Sequence, residues 1–295
     1  MSNIQKEDIK QEVFDLYDDY AHNRLKRRDF MQKLAIYAVG GLTIPSLLSF
    51  LMPDYKNTLQ VKANDPRINS EYIHYDSPNG SGSIKALLCN PAGIKKKTGA
   101  IVVVHENRGL NPYIEDVAKR VALAGFIAIA PDALTPLGGY PGNDDAGREM
   151  QAKLDKNKML EDFISADVYL KNLKDCNGKV GVVGFCFGGW IANMMAVRIE
   201  DLAAAVPFYG SQPEAADVPK IHAPLLLQYA DLDTRVTGGW PAYEAALKAN
   251  SKAYTSYIYP GVNHGFHNDT TPRYDKAAAE LAWQRTIAFF NEKLQ

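Results

Sequence analysis

The chain has 295 residues, of which 46% are hydrophobic and 23% are charged, proportions of an ordinary globular protein that can bury a sizeable core. Its 33 basic and 34 acidic residues leave a net charge of −1. With no excess of positive charge to neutralise a phosphate backbone, nucleic acid is not expected as a partner. We expect one main domain with an appendage rather than two equal halves.

The first part of the chain differs in composition from the rest. We interpret residues 1–55 as a helical N-terminal extension and residues 56–295 as the main domain. Residues 6–24 are highly charged and carry apolar side chains at helical spacing, which predicts an amphipathic helix. The stretch at 34–52 is moderately apolar, but its glycines and proline make it a poor transmembrane helix.

An arginine pair in this extension allows two interpretations. Arg27 and Arg28 precede Phe30 and the apolar stretch, an order that resembles a twin-arginine export signal. If residues 24–52 act as such a signal, the protein is periplasmic. Otherwise the segment is a helical hairpin that packs on the main domain or on a partner, and the protein is cytoplasmic. We expect membrane contact, if any, through this segment alone.

From Glu71 onward the pattern becomes regular. Residues 71–75 and 83–89 flank a run of turn residues and predict an antiparallel hairpin. Residues 99–106 form an apolar, β-branched run that is typical of a strand covered on both faces, and residues 112–125 predict a helix. Further strands are predicted at 126–132, 179–185, 203–210, 223–230 and 253–260, and further helices at 159–173, 189–199, 240–250 and about 274–293.

This alternation of strands and helices predicts an α/β fold. Its central sheet should be mostly parallel, with helices on both faces. Residues 133–148 form the longest irregular region and could lie over a site. The three cysteines, Cys89, Cys176 and Cys186, form neither a disulfide framework nor a C-x-x-C metal pair.

One of these cysteines stands in a motif that carries chemistry. The sequence GFCFGG at 184–189 lies between a predicted strand and a predicted helix, the context of a nucleophile elbow. Such a sharp turn brings backbone close together, so Gly184 and Gly188 fit where a Cβ would clash. The helix N-terminus stabilises a thiolate at Cys186, and the N–H of Phe187 can donate to an oxyanion. The alternative is a buried structural cysteine.

An acid and a base follow the elbow, each after a later strand. Asp233 follows the strand at 223–230, and His264 follows the strand at 253–260. The carboxyl ends of parallel strands meet at one edge of the sheet, so both can reach Cys186. His264 would shuttle the proton and Asp233 would fix its tautomer, which makes this an α/β-hydrolase pattern.

Two neighbours compete for these roles, Asp231 for the acid and His267 for the base. His264 and His267 also form an HxxH pair, but without a third ligand at recognisable spacing we expect no metal. The remaining histidines carry no comparable context, and we interpret them as structural: His22, His74, His105 and His222.

From Glu71 to the C-terminus the chain resembles the dienelactone hydrolase (carboxymethylenebutenolidase) family. The resemblance is carried by HENRGLNPYIEDVAKRVALAGFIAIAPD, GFCFGG, the aspartate after the strand at 224–229, and HGF. It implies that Glu106 contacts the nucleophile, holding the thiol neutral at rest and helping to ionise it when substrate arrives. It also implies that Asn107 supplies a second oxyanion N–H.

The family also uses arginines to hold a substrate carboxylate. Arg148 matches one of them, although a surface helix charge explains it equally well. At the position of the second, four residues after the histidine, this chain has Asn268, and Arg273 lies nearby at a different spacing. Losing a bidentate anchor should weaken selection for acidic lactones. Arg108 could compensate.

The resemblance and the motif together predict a cysteine-nucleophile hydrolase of small lactones or esters that acts through a thioester and needs no cofactor. Two alternatives stay open: a carboxylesterase-like enzyme on a non-acidic ester, and a non-catalytic accessory protein on the same fold. Neither the substrate nor the oligomeric state follows from the sequence.

Overall fold

An eight-stranded sheet forms the centre of the protein, as described by a computed structural model for residues 4–56, 58–62 and 64–295. The strand order is β1-β2-β4-β3-β5-β6-β7-β8. The pairs β1–β2 and β2–β4 are antiparallel, and all later neighbours are parallel. The strands are β1 Ile68–Ser77, β2 Gly82–Pro91, β3 Thr98–Val104, β4 Ile127–Pro131, β5 Cys176–Phe185, β6 Ala204–Phe208, β7 Leu225–Ala230 and β8 Tyr254–Tyr259.

Helices cover both faces of this sheet. The α-helices are α1 Gln11–Ala21, α2 Arg27–Leu34, α3 Ile44–Leu51, α4 Pro112–Leu123, α5 Asp144–Gln151, α6 Lys156–Lys171, α7 Phe187–Arg198, α8 Thr234–Thr237, α9 Trp240–Ala249 and α10 Lys276–Leu294. Along β3, Val102 and Val104 enter the core under α6, α7 and α9. Ile101 and Val103 enter the opposite core under α4 and α10. Alternate residues of a strand point to opposite faces, which explains why a strand buried on both sides is an unbroken apolar run.

The expected α/β-hydrolase architecture is confirmed, and each predicted strand and helix after Glu71 has a counterpart. The segment 133–148 is more ordered than its turn residues suggested. It contains a 3₁₀ turn at Thr135–Leu137 and the start of α5, which is capped by the Asn143 side chain accepting from the Ala146 N–H. An Asn cap satisfies one of the free N–H groups of a first turn, so a short helix can follow a glycine-rich loop.

Within the described residues the N-terminal extension contains three short α-helices, α1 to α3. They share an apolar cluster of their own, which includes Val13, Tyr17, Phe30 and Leu47. The segment packs on the main domain at the carboxyl ends of the strands, where Gln11 hydrogen-bonds Asn263. Within the described residues, no helix has the length and apolar character needed to cross a bilayer.

Candidate active site

The chain bends sharply at Cys186, between β5 and α7. Its backbone has φ 57° and ψ −112°, a positive-φ conformation that non-glycine residues rarely adopt. A Cβ on Gly184 would lie 1.9 Å from the carbonyl oxygen of Gly188, and one on Gly188 would lie 2.4 Å from that of Val104. Both positions therefore require glycine, and the strained turn holds Sγ at the end of the sheet.

Asp233 and His264 come together beside this turn. Asp233 follows β7, His264 follows β8, and Asp233 Oδ2 accepts a hydrogen bond from His264 Nδ1 at 2.6 Å. Burial of Asp233 opposes its ionisation, but the adjacent His264 outweighs burial and lowers the pKa of the carboxyl. The other ring nitrogen, Nε2 of His264, is buried without a hydrogen-bond partner among the described residues. It is therefore available to a proton or a ligand at the elbow.

The two competing residues lie in other environments. Asp231 is exposed and accepts from the Gly261 N–H at 3.4 Å. His267 is buried and bonds the Tyr113 hydroxyl at 2.7 Å, and burial lowers the pKa of its imidazole to about 3. His267 is thus a neutral core histidine, and the Asp233–His264 pair faces the elbow.

A second histidine, which we had interpreted as structural, also reaches the elbow. His22 follows α1 in the N-terminal extension, and its Nε2 lies 3.1 Å from the Sγ of Cys186. Its Nδ1 lies 2.8 Å from the Asp18 carbonyl oxygen and 3.2 Å from the Asp18 carboxylate. Both neighbours of Nδ1 are acceptors, so Nδ1 carries a proton and Nε2 faces the sulfur. The structure therefore places His22 at the elbow, which the interpretation from the sequence did not anticipate.

Asp18 ties this arrangement to the main domain. Its carboxylate lies 3.5 Å from Arg235 and 3.5 Å from Arg273, and 2.9 Å from Arg24 of its own segment. Burial acts to raise the pKa of Asp18, yet His264, His22 and Arg273 hold it well below its usual range. One carboxylate thus orients His22 and anchors the extension. The D-x-x-x-H spacing on a helix was the sequence signal that could have indicated this pair.

Glu106 and Asn268 form a buried pair next to the elbow. Asn268 Nδ2 donates to Glu106 Oε2 at 3.0 Å, and Asn268 is held in turn by the Thr270 N–H and hydroxyl. The sulfur of Cys186 has its hydrogen-bond partner in His22 Nε2 rather than in Glu106. Asn268, noted in the sequence as a departure from the family arginine, here satisfies a buried carboxylate.

The two residues predicted to supply the oxyanion N–H groups line the same pocket as Cys186. Phe187 is the first residue of α7, where N–H groups have no partner within the helix. Asn107 follows Glu106 and lines the same pocket, and its side-chain amide donates to the Ala21 carbonyl at 2.5 Å. This contact is another link between the extension and the main domain.

The arginines expected to hold substrate are engaged elsewhere. Arg148 is 6% exposed on α5, so the surface-charge interpretation is wrong; its guanidinium hydrogen-bonds Asn23 and lies 4.4 Å from the centre of the Tyr20 ring. Arg108 is also buried, and its Nη1 lies 2.9 Å from Asp144 Oδ2. The structure thus places both beside other groups and does not bring Arg148 to the pocket at the sulfur.

A pocket of about 180 Å³ opens at the sulfur. Two cationic side chains, Lys156 and Arg235, border it, and Trp190 and Tyr209 supply aromatic walls. Burial raises the pKa of Tyr209 well above its usual value, so its hydroxyl stays protonated. The complete lining is His22, Asn107, Lys156, Cys186, Phe187, Trp190, Tyr209, Ser211, Arg235 and His264. Such a pocket fits a small polar or anionic molecule.

The family model for the dienelactone hydrolase family matches residues 84–294, and a YqhI-like model matches residues 1–40. A hydrolase fragment, YghX, of Escherichia coli (strain K12) is 58% identical over 114 residues, covering 39% of this chain and 97% of its own length. A protein of Saccharolobus solfataricus, named for carboxymethylenebutenolidase activity, is 30% identical over 255 residues, covering 74% of this chain and 96% of its own.

The crystal structure of a protein from Klebsiella pneumoniae named as a dienelactone hydrolase superposes with a TM-score of 0.67 at 24% identity, covering 76% of this chain and 98% of its own. The fold and the residues gathered at the strand ends define an α/β-hydrolase. Because the family model covers most of the chain, the chain belongs to the dienelactone hydrolase family, and it is an enzyme that hydrolyses ester or lactone bonds.

Proposed function

We propose that Cys186 is the nucleophile of a small-lactone or small-ester hydrolase that works through a thioester intermediate. The observation that carries this proposal is the strained, positive-φ backbone of Cys186 at the elbow, with a His264 Nε2 nearby that is buried and has no partner among the described residues. Strain of this kind persists where the surrounding structure enforces it, and it concentrates at functional sites. A purely structural cysteine would need neither the strain nor the histidine.

The proposed reaction has two steps. In the first, His264 Nε2 takes the thiol proton, Sγ of Cys186 bonds to the carbonyl carbon, and the carbon–oxygen bond of the ester or lactone breaks. The leaving alkoxide receives the proton from His264, which leaves an acyl thioester. In the second step His264 takes a proton from water, and the hydroxide bonds to the carbonyl carbon while the carbon–sulfur bond breaks. His264 then returns its proton to the thiolate, and the carboxylic acid product loses its own proton to solvent.

Neighbouring groups would stabilise the charges that develop during this reaction. Asp233 stabilises the imidazolium that forms on His264, since the two lie 2.6 Å apart in a buried pair. The backbone N–H groups of Phe187 and Asn107 would hold the oxyanion. At rest His22 accepts the thiol hydrogen bond, so the sulfur has a partner before substrate enters. Glu106, held by Asn268, would contribute negative charge rather than a direct contact.

We propose that the substrate carries a negative or strongly polar group. Lys156 and Arg235 border the pocket, and a carboxylate is the ligand that such cations favour. A volume of about 180 Å³ limits the bound molecule to a small lactone or ester. The role of Arg148 as a substrate anchor stays a prediction, because its guanidinium lies beside Tyr20 and Asn23.

The test is turnover of a panel of lactones and activated aryl esters, with and without a carboxylate. Cys186→Ala should reduce kcat/KM by about 10⁴-fold or more, since the residues of a triad act as a unit. The matched control is Cys176→Ala, which removes a buried thiol that lies outside the pocket and should keep wild-type turnover. A folded Cys186→Ala enzyme with undiminished kcat/KM would refute the proposal.

A further inference from the structure

Three metal-binding side chains converge where α1 meets the elbow. One ligand atom each from His22, Cys186 and His264 lie within 4.8 Å of one another. Two imidazoles and a thiolate are a ligand set that soft divalent cations prefer, Zn²⁺ above all. The HxxH pair considered in the sequence is not involved, since His267 bonds Tyr113.

The second shell of this cluster fits a metal as well. In zinc sites, a ligating histidine donates its other ring N–H to a carboxylate or a carbonyl, which fixes the ring and its tautomer. His264 Nδ1 faces Asp233 Oδ2 at 2.6 Å, and His22 Nδ1 faces the carbonyl oxygen of Asp18 at 2.8 Å. Both histidines therefore direct Nε2 to the sulfur, and that of His264 is buried without a partner in the described chain.

From this geometry we propose that the protein binds one thiophilic divalent cation, Zn²⁺, through Cys186, His22 and His264, with water in the fourth position. Tetrahedral zinc separates sulfur and nitrogen ligands by about 3.3–3.6 Å. His22 Nε2 lies 3.1 Å from the sulfur, so the three side chains need to adjust by about 1 Å. Binding converts the Cys186 thiol to a thiolate, and the displaced proton goes to solvent.

Charged groups of both signs surround the site. Arg235 opposes a cation, since its guanidinium lies 3.2 Å from His264 Nδ1 and 3.5 Å from His22 Nε2, and Lys156 also borders the pocket. The Cys186 thiolate and the Asp233 carboxylate offset part of that charge, while the Asp18 carboxylate is shared among Arg24, Arg235 and Arg273. The Arg235 side chain is 30% exposed, so it can turn toward water when the cation enters.

Metal binding here has two consequences. The nucleophile becomes a ligand, so ester hydrolysis stops until a chelator removes the cation. The metal also joins the N-terminal extension to two loops of the main domain, because His22 belongs to the extension and the other ligands follow β5 and β8. A ligand that binds the folded state alone stabilises it, so Zn²⁺ should raise the unfolding temperature.

The experiment uses the full-length protein after removal of any metal. Zn²⁺ binding is measured by calorimetry, and Co²⁺ binding is measured by absorption spectroscopy. We expect one binding site per chain, and in the Co²⁺ spectrum we expect a thiolate-to-Co²⁺ charge-transfer band. His22→Ala should weaken Zn²⁺ binding by about 100-fold or more, and Cys186→Ser should remove the band. His222→Ala, which deletes an exposed histidine, should bind as wild type does.

Absence of stoichiometric binding to the wild-type chain would overturn the inference. So would equal affinity in wild type and His22→Ala, or a Co²⁺ spectrum unchanged in Cys186→Ser. Should His22→Ala fail to fold, Cys186→Ser still decides the outcome, because it replaces sulfur by oxygen at nearly constant shape. These readouts do not use turnover, so a failure here is distinct from a failure of the proposed hydrolase mechanism.

Discussion

Two regions of the molecule each place an aspartate–histidine pair near the Cys186 sulfur. In the main domain, Asp233 and His264 lie on separate loops that follow β7 and β8. In the N-terminal extension, Asp18 and His22 lie four residues apart at the end of one helix. The first pair is positioned by the hydrogen bonds and apolar core of the sheet. The second is positioned mainly by polar contacts between the extension and the domain.

This difference teaches that two histidines near one nucleophile can depend on the fold to different degrees. The sheet is buried on both faces, so a shift of either loop would disturb a close-packed core. The extension has its own apolar cluster and meets the site through ion pairs around Asp18. It can therefore be loosened without unfolding the sheet.

The largest expected effect is a difference in kcat/KM between variants of the two histidines. His264→Ala should lower kcat/KM for an activated ester by about 10³–10⁴-fold, because it removes the proposed general base. His22→Ala should lower it by about tenfold or less, because it removes a resting partner of the thiol. Steady-state rates of both variants check this. If His22→Ala loses as much as His264→Ala, the helix-borne pair is the base and the assignment is reversed.

A smaller effect concerns acid stability, and we expect it to arise in the main domain. The pKa of His267 falls from 6.5 unfolded to about 3 folded, so its contribution to stability is complete above pH 6.5. As the pH falls from 6.5 toward 3, His267 becomes protonated in the unfolded state but not in the folded state. This difference lowers the free energy of unfolding by about 4–5 kcal/mol in total.

Urea unfolding at several pH values measures this dependence. His267→Asn, which keeps a polar group near Tyr113 but does not titrate, should show a flatter decline across that range. His222→Ala, at an exposed site, is the control and should keep the wild-type slope. An identical slope in His267→Asn and wild type would show that another group governs the acid sensitivity.

The smallest effect tests how the extension is held. Asp18→Asn removes a carboxylate shared by Arg24, Arg235 and Arg273, and it leaves the buried Arg273 without that charge, which should weaken docking by about 3 kcal/mol. Hydrogen exchange of α1 and α2 should rise while exchange in the sheet stays unchanged. Asp29→Asn breaks only the exposed contact with Arg28 and should shift exchange by about 0.5 kcal/mol or less. Equal protection of α1 in wild type and Asp18→Asn would contradict this picture.

Much of the main domain could be predicted because its signals are local. The apolar run of β3 and the glycines around Cys186 follow from what neighbouring residues allow, and strand order along the chain placed Asp233 and His264 at one sheet edge. The helix α5 was missed, since its Asn143 cap lies within a loop rich in glycine and proline. Turn residues predict an interruption of regular secondary structure, but they do not indicate where the next helix begins.

The sequence by itself determined the parallel sheet and the elbow at Cys186, because these depend on periodicity and on backbone sterics within a few residues, and its motifs carried the resemblance to the family. Only the tertiary structure decided that His22 meets the sulfur and that Asn268 satisfies Glu106. It also decided that Arg148 packs against Tyr20. These contacts join residues more than 100 positions apart through side chains alone, and no local spacing encodes such a distance.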